Sequence, residues 1–218
     1  MEHLIHDNII QNSDEWFDIR RGKITSSMFG TILSKPRKKI DKEAGKMSKS
    51  AETYMHNLVA EVLTGITQDM QLSQFEWGKE YEAEARDAYE LETFTQVKEI
   101  GFIEANEGKF KGRIGASTDG LIGDKGMLEI KNPENSAIHV KYMSTGEIPK
   151  GYKIQMYGGL WISDRDWCDF VSYDPRIARL DKRIYIKRFT RKDEEYKKLI
   201  KTLEERLLNF IQQLDKLL

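Results

Sequence analysis

The feature that most constrains the fold is a glycine-rich turn between two apolar runs that carry acidic side chains. Residues 123–126, Gly-Asp-Lys-Gly, separate the run that contains Asp119 from the run 127–131. This composition is typical of a hairpin turn, which would fold Asp119 back beside Glu129. Alternate side chains of a strand share a face, so Glu129 and Lys131 would lie roughly 7 Å apart on one face. The sequence therefore predicts two carboxylates and one ammonium at a single point.

This predicted cluster has the chemistry of a nuclease site. Carboxylate oxygens suit Mg²⁺ or Mn²⁺, which take few protein ligands and keep several waters. A lysine beside them can hold a water or neutralise an anionic transition state. The alternative is an ordinary ion pair on an exposed strand face. Glu129-x-Lys131 alone favours the ion pair, and Asp119 with the hairpin makes the two interpretations about equal.

Bulk properties exclude several classes of protein. The chain has 218 residues, 39% of them apolar, which predicts one domain over residues 1–218 with its own core. It has no apolar run long enough to cross a membrane and no signal-peptide pattern at its start. Its one cysteine, Cys168, cannot form an internal disulfide or a four-cysteine cluster. A cytoplasmic protein without a membrane partner is expected.

Charge is unevenly distributed, although the formal net charge is only −1. Residues 20–49 contain ten Lys or Arg and two acids, whereas residues 76–107 contain ten acids and three bases. Phosphates respond to local basic surface because salt screens charge within about 8–10 Å. The basic run is therefore a candidate nucleic-acid contact, and the alternative is a solvated loop.

Periodicity and capping residues predict a mixed α/β chain. A polar, basic loop is expected at 34–49, followed by a helix that begins near Ser48 or Ser50 and ends at Gly65. Further helices are predicted at 16–20, 25–33, 73–91, 137–143, 152–162 and 193–218. Strands are predicted at 96–103, 110–117, 127–131, 167–173 and 183–189.

Four separated blocks, read together, resemble a known family. They are WFDIRRGKITSS at 16–27, WGKEYE at 77–82, the hairpin 119–131, and GYKIQMYGGLW at 151–161, which YDPR follows at 173–176. In this order and spacing they resemble the bacteriophage lambda exonuclease family, the YqaJ-type viral recombinase nucleases. The resemblance covers nearly the whole chain, to about residue 188.

The resemblance implies a fold, an activity and partners. The implied fold is a restriction endonuclease-like core, with a central mixed sheet flanked by helices. The implied activity is Mg²⁺-dependent 5′→3′ degradation of one strand of linear double-stranded DNA to 5′-mononucleotides, leaving a 3′ single strand for recombination. Two Mg²⁺ per site are implied, with Mn²⁺ able to substitute. A ring-shaped homotrimer, a 5′-phosphorylated DNA end, a phage single-strand annealing protein and a phage or prophage gene in a bacterial host are also implied.

Catalytic roles follow from the resemblance, position by position. Asp119 and Glu129 match metal ligands, the backbone carbonyl of Ile130 matches a third, and Glu82 matches a carboxylate that supports a second metal. Lys131 would position or deprotonate the attacking water. Without the family, Glu82 would be a surface glutamate of an acidic helix.

A pocket for the terminal 5′ phosphate is implied at Arg20, Ser27, Ser117 and Gln155. A guanidinium binds phosphate oxygens bidentately, and hydroxyl and amide groups add donors. Taken singly, Arg20 reads as surface charge and Ser27 as a helix cap.

Three further residues, Trp16, Arg37 and Phe75, match positions that contact or part the DNA strands. Core packing is the alternative for both aromatic residues. The apolar stripe of the last helix is either core or a subunit contact.

The chain departs from the family pattern at Lys109, where the prototype has an acid, and Glu107 is a possible substitute. An endonuclease or junction-cutting enzyme on the same core, and a non-catalytic DNA-end-binding module, remain as alternative functions.

Overall fold

The mixed α+β architecture expected from the sequence is confirmed. The computed structural model describes residues 2–67 and 72–218. For residues 72–79 it describes the backbone but not the side chains. The strands in these ranges are β1 (His3–His6), β2 (Ile24–Thr25), β3 (Val97–Lys98), β4 (Phe102–Ala105), β5 (Ile114–Ala116), β6 (Gly120–Ile122), β7 (Gly126–Lys131), β8 (Trp167–Tyr173) and β9 (Ile184–Thr190). The helices are α1 (Asp14–Arg20), α2 (Phe29–Ile32), α3 (Lys39–Glu43), α4 (Lys49–Thr64), α5 (Leu72–Thr93), α6 (Ser136–Thr145), α7 (Lys150–Ser163) and α8 (Glu194–Leu214).

The strands form two mixed sheets. The first has the order β1-β4-β5-β2, with β2 and β5 parallel, and the second has the order β3-β6-β7-β8-β9, with β7 and β8 parallel. The chain passes from one sheet to the other at residues 117–119, between β5 and β6. Residues that follow β5 therefore lie where the two sheets adjoin.

The single strand predicted at 96–103 is wrong. The segment divides into β3, which pairs in the second sheet, and β4, which pairs in the first. Between them Gly101 lies against another segment, because a Cβ there would be 2.5 Å from the carbonyl oxygen of Ile9. The apolar pattern runs on through the break, so periodicity alone could not reveal the change of partner. Strand β1, which pairs with β4, was also missed.

Helix α4 shows how local chemistry sets helix ends. The Ser48 hydroxyl accepts a hydrogen bond from the Ala51 N–H at 3.1 Å, and Gly65 ends the helix with φ +69°. A serine oxygen satisfies an otherwise unpaired N–H, and glycine adopts the left-handed conformation without steric cost. Both ends were predicted correctly.

Apolar side chains fill both faces of the second sheet. One face joins the larger cluster, with α7 and α8, through residues such as Met127 and Phe170. The other face, with Leu128 and Ile130, packs under α5 around Tyr89. Because strand side chains alternate, Glu129 and Lys131 project on the side of α7.

The last helix, α8, buries one apolar stripe within this chain. Its buried members are Tyr196, Leu203, Leu207, Phe210, Ile211 and Leu214. The core interpretation of the stripe is therefore confirmed. Among the described residues, no helix is both long and apolar enough to span a bilayer.

Candidate active site

The predicted hairpin forms, and it brings Asp119 to Glu129. Strands β6 and β7 are antiparallel, with Gly120 opposite Leu128, and the Asp119 N–H donates to the Leu128 carbonyl at 3.1 Å. The Asp119 carboxylate turns back over β7, where its Oδ2 accepts the Ile130 N–H at 2.5 Å. Asp119 is thus fixed at the backbone between Glu129 and Lys131.

Glu129 is a buried carboxylate with two donors on one oxygen. Its side chain is 3% exposed, and its Oε1 accepts from Lys131 Nζ at 2.5 Å and from Gln155 Nε2 at 2.6 Å. A buried carboxylate needs such partners because desolvation strongly disfavours its charge. The exposed ion pair considered from the sequence is therefore excluded by geometry.

Helix α7 reaches Glu129 because glycine lets it lie close to its neighbours. A Cβ on Gly158 would be 2.4 Å from Phe29, and one on Gly159 would be 2.6 Å from Met127. The absence of both side chains allows the helix to pack on β5, on the short 3-10 turn Ser26–Met28 and on Met127 of β7. One turn earlier on the same helix, Gln155 then meets Glu129.

Negative charge accumulates at the site. Burial raises the pKa of Glu129 to about 7, with Asp119 and Glu82 adding to the effect and Lys131 opposing it. Burial and the charge of Asp119 likewise raise the pKa of Glu82 to about 7. Burial raises the pKa of Asp119 as well, against the opposing effects of Lys131 and the Ile130 N–H. Three acidic groups therefore act on one another, including Glu82, which lies on α5.

Lys131 is held as an ammonium in this arrangement. Burial alone would lower the pKa of Lys131, but the charges of Glu129 and Asp119 outweigh it and raise the pKa above its ordinary value. The Nζ atom also lies 5.3 Å from the centre of the Tyr152 ring. An ammonium can position a water or stabilise negative charge. To act as a base, Lys131 would have to lose a proton, which requires that it no longer pairs with Glu129.

The donor chemistry fits a hard divalent cation that also takes water and substrate oxygens. Among the described residues, no group of three His, Cys, Asp or Glu forms a metal-binding set by itself. Asp119, Glu129 and the adjacent Ile130 carbonyl offer oxygen ligands, and Mg²⁺ usually takes only one or two protein carboxylates. A cation there would also oppose the burial and the repulsion that together raise the pKa values of Glu82 and Glu129.

Arg20 and Ser117, two of the four residues assigned to the phosphate pocket, are in contact. Arg20 Nη1 donates to Ser117 Oγ at 2.7 Å, and the guanidinium lies 3.7 Å from the centre of the Trp16 ring. Burial lowers the pKa of Arg20 to about 10, so the group stays charged near neutral pH. Because Ser117 is two residues before Asp119, the Arg20–Ser117 pair adjoins the segment that carries the Asp119 carboxylate.

The other two pocket candidates are placed differently. Strands β2 and β5 run parallel with Thr25 opposite Gly115, so Ser27 and Ser117 follow the same ends of paired strands. Ser27 is exposed, and its hydroxyl lies 3.0 Å from that of Thr25. Gln155 was expected to face phosphate with Arg20, but here its amide is bonded to Glu129.

Of the residues assigned to strand contact, Trp16 needs correction. Its side chain is buried at 8% exposure, its Nε1–H donates to the Gly101 carbonyl at 2.9 Å, and Arg20 covers its ring. Burial and the guanidinium over the ring favour the core-packing alternative for Trp16. Arg37 is exposed in the basic run, whose two acids pair with Lys39 and Lys46. Phe75 lies outside the described side chains.

Glu107, the possible substitute for the acid missing at Lys109, bonds to the start of the described chain. Its carboxylate accepts the Glu2 N–H at 2.6 Å, before the turn that leads into β5. Position 109 also precedes β5, so Glu107 and the family position lie on the same side of that strand.

Two residues near the site were missed. Tyr152 lies within the block at 151–161, but only the structure places its ring near Lys131. Arg86 was visible as an i,i+4 partner of Glu82 on a helix, and its Nη2 lies 3.4 Å from Glu82 Oε1.

Comparisons with known proteins agree with the geometry. A family model described as the YqaJ-like viral recombinase domain matches residues 15–166. The crystal structure of LHK-Exo in complex with dAMP is 33% identical, with a TM-score of 0.78 over 94% of this chain and 93% of that one. A second structure, of the alkaline exonuclease LHK-Exo from Laribacter hongkongensis, is 32% identical, with a TM-score of 0.76 over 94% and 96%.

A more distant structure shares the fold. It is a phage-related exonuclease from Haemophilus somnus 129PT, 21% identical, with a TM-score of 0.60 over 89% of this chain and 95% of that one. A search of the curated proteins gave no match. The family model covers most of the chain, and the resemblance seen in the four sequence blocks is confirmed: the chain belongs to the YqaJ-like viral recombinase family, the lambda exonuclease type of nuclease.

Proposed function

We propose that the protein is a Mg²⁺-dependent 5′→3′ exonuclease that degrades one strand of linear double-stranded DNA to 5′-mononucleotides and leaves a 3′ single strand for annealing. The observation that carries the proposal is the Arg20–Ser117 contact two residues before Asp119. A guanidinium and a hydroxyl suited to a terminal phosphate thereby adjoin carboxylates suited to a metal. The dAMP bound by LHK-Exo is a mononucleotide, the class of product proposed here.

Each side chain has a distinct task in this proposal. Asp119, Glu129, the Ile130 carbonyl and Glu82 hold one or two Mg²⁺, with Mn²⁺ as a substitute. The bound cations supply Lewis-acid stabilisation of the charge that develops during phosphodiester hydrolysis. Lys131 holds the attacking water and balances negative charge.

The end of the DNA is recognised separately. Arg20, Ser27, Ser117 and Gln155 bind the terminal 5′ phosphate, and the Gln155 amide also bonds to Glu129. The exposed basic run, including Arg37, contacts the duplex backbone. Cleavage leaves a new 5′ phosphate on the shortened strand, so the same pocket can accept the next end.

The proposal includes assembly and context. The chain acts as a homotrimer around DNA, together with a phage single-strand annealing protein, in the cytoplasm of a bacterial host. Its gene belongs to a phage or prophage. An endonuclease on the same core is the second candidate, favoured by the carboxylates and Lys131 but leaving Arg20 without a role.

The deciding experiment uses linear duplex DNA with one phosphorylated and one hydroxyl 5′ end, together with a closed circle, in Mg²⁺ or EDTA. We expect mononucleotides only with Mg²⁺, mainly from the phosphorylated end and not from the circle. Cutting of the circle would favour the endonuclease. Absence of any cleavage with Mg²⁺ or Mn²⁺ would leave a DNA-end-binding module.

Replacement of Lys131 tests the site itself. Lys131→Ala removes the ammonium that contacts Glu129, and we expect nucleotide release to fall by about 10²-fold or more. Lys125→Ala is the matched control, because Lys125 lies in the hairpin turn with its side chain 74% exposed. Unchanged release by Lys131→Ala, with an unaltered melting temperature, would contradict the proposed site.

A further inference from the structure

Arg86 is a nearly buried cation beside the carboxylate cluster. It lies one turn beyond Glu82 on α5, and its side chain is 14% exposed. Its Nη2 lies 3.4 Å from Glu82 Oε1, whereas its Nη1 lies 2.5 Å from Glu99 Oε1. The guanidinium therefore connects the helix to the segment that joins β3 to β4.

The two contacts of Arg86 are unequal. The pair with Glu99 is short, and Glu99 is 68% exposed, whereas the contact with Glu82 is at the long end of hydrogen-bonding range. The Arg86 Nε atom is buried without a hydrogen-bond partner. The guanidinium is therefore held mainly by Glu99, and its positive charge is only partly neutralised on the side that faces Glu82.

That charge acts on two of the acids. The pKa of Glu82 is raised by burial and by Asp119, and Arg86 opposes the rise. Burial likewise raises the pKa of Asp119, which Lys131, the Ile130 N–H and Arg86 oppose. Arg86 thus places a positive charge beside Glu82, within range of Asp119.

We propose that Arg86 is a positioning residue that serves as the internal counter-cation of the carboxylate cluster: it holds Glu82 at the site before a divalent cation binds, and Glu99 anchors it there. The inference rests on the proposed metal-dependent function. Since like charges repel, the charge of Arg86 also limits how tightly the cluster binds a cation. Arg86 then increases the stability of the metal-free protein and decreases its affinity for the cation.

The test compares Arg86→Met, Arg86→Lys and Glu99→Gln with the unaltered protein. Melting temperature is measured in EDTA and across a Mg²⁺ titration, and nucleotide release is measured over the same titration. We expect Arg86→Met to melt lower in EDTA yet need about threefold to tenfold less Mg²⁺ for half of its thermal stabilisation, the size of effect that one unit charge has at a water-like dielectric. Release at saturating Mg²⁺ should fall because Glu82 is no longer held.

The charge-conserving variant Arg86→Lys should keep the Mg²⁺ response of the unaltered protein, and Glu99→Gln should shift it partway toward that of Arg86→Met. Arg113→Met is the control, because Arg113 pairs with Asp215 beyond the end of α8. It should lower melting equally with and without Mg²⁺. The same behaviour in Arg86→Met would overturn the inference, and if that variant does not fold, an unshifted Mg²⁺ response in Glu99→Gln would do so.

The thermal titration separates this inference from the proposed function. A protein that binds Mg²⁺ but releases no nucleotides would contradict the exonuclease, while a shifted Mg²⁺ midpoint in Arg86→Met would still support the counter-cation. Normal exonuclease activity with an unshifted midpoint in Arg86→Met would contradict the counter-cation alone.

Discussion

A single carboxylate oxygen of Glu129 accepts hydrogen bonds from two different side chains. Lys131 and Gln155 both donate to its Oε1, and they come from a neighbouring position on the strand and from a separate helix. The strand partner could be predicted because alternation places Glu129 and Lys131 on one face. The helix partner could not, since it depends on how closely α7 approaches the sheet. Local spacing therefore predicted the pairing of Glu129 with Lys131 but not the bond from Gln155.

Arg20 provides a residue-scale prediction. Arg20→Lys keeps a positive charge but loses the fork that can hold a phosphate while bonding to Ser117. We expect the preference for phosphorylated over hydroxyl 5′ ends to fall about tenfold, measured as the ratio of nucleotide release from the two ends. Arg21→Lys is the neighbouring control, because Arg21 pairs with Asp18 at the surface. Equal loss of preference in both variants would contradict a specific pocket at Arg20.

Elements whose ends depend on local chemistry were predictable, and those that depend on pairing were not. Ser48 and Gly65 fixed α4 through a cap and a left-handed residue, both visible in the sequence. By contrast, 96–103 reads as one strand, although β3 and β4 pair with different sheets. The partner of a strand is chosen by distant residues, so a continuous apolar pattern does not show where pairing changes.

Helix α7 provides an element-scale prediction. Gly158→Ala would put a methyl group 2.4 Å from the buried Phe29 ring, so we expect a loss of about 1–3 kcal/mol in the free energy of unfolding. Gly151→Ala is the control on the same helix, because its added Cβ would meet no heavy atom within 4 Å beyond its chain neighbours and its own helix backbone. The control should be neutral or more stable by up to about 1 kcal/mol. Denaturant titration measures both, and equal stability of the two variants would contradict close packing at Gly158.

The stability of the whole molecule is linked to pH through a buried acid at the end of β8. Asp174 is fully buried and pairs with Arg176, which also donates to the carbonyls of Pro133 and Glu134. Through Arg176, the segment that follows β8 is hydrogen-bonded to the segment that follows β7. Burial raises the pKa of Asp174, but hydrogen bonds from Arg176 and Ser136 outweigh it and lower the pKa to about 2.

A depressed pKa stabilises the folded state at the pH values where the carboxylate is ionised. The stabilisation from Asp174 should be complete above about pH 4 and disappear as pH falls through about 2, a change of about 2 kcal/mol. Asp174→Asn should therefore be less stable than the unaltered protein at pH 5, and the difference should shrink toward pH 2. Asp181→Asn is the control, because Asp181 forms an exposed pair with Arg179. A difference that does not change with pH would contradict the role of the charge.

The segment from Ser117 to Asp119 is held at each end: Arg20 bonds to the first residue, and the Asp119 N–H bonds to β7. Thr118 between them is buried, with its hydroxyl donating to the Leu128 carbonyl at 2.6 Å. Two residues of extended chain span at most about 7 Å. If the end phosphate binds at Ser117 and the phosphodiester bond is cleaved at Asp119, these two peptide units fix the distance between the two points. The length of each released fragment is then set by the protein backbone and is the same for every DNA sequence.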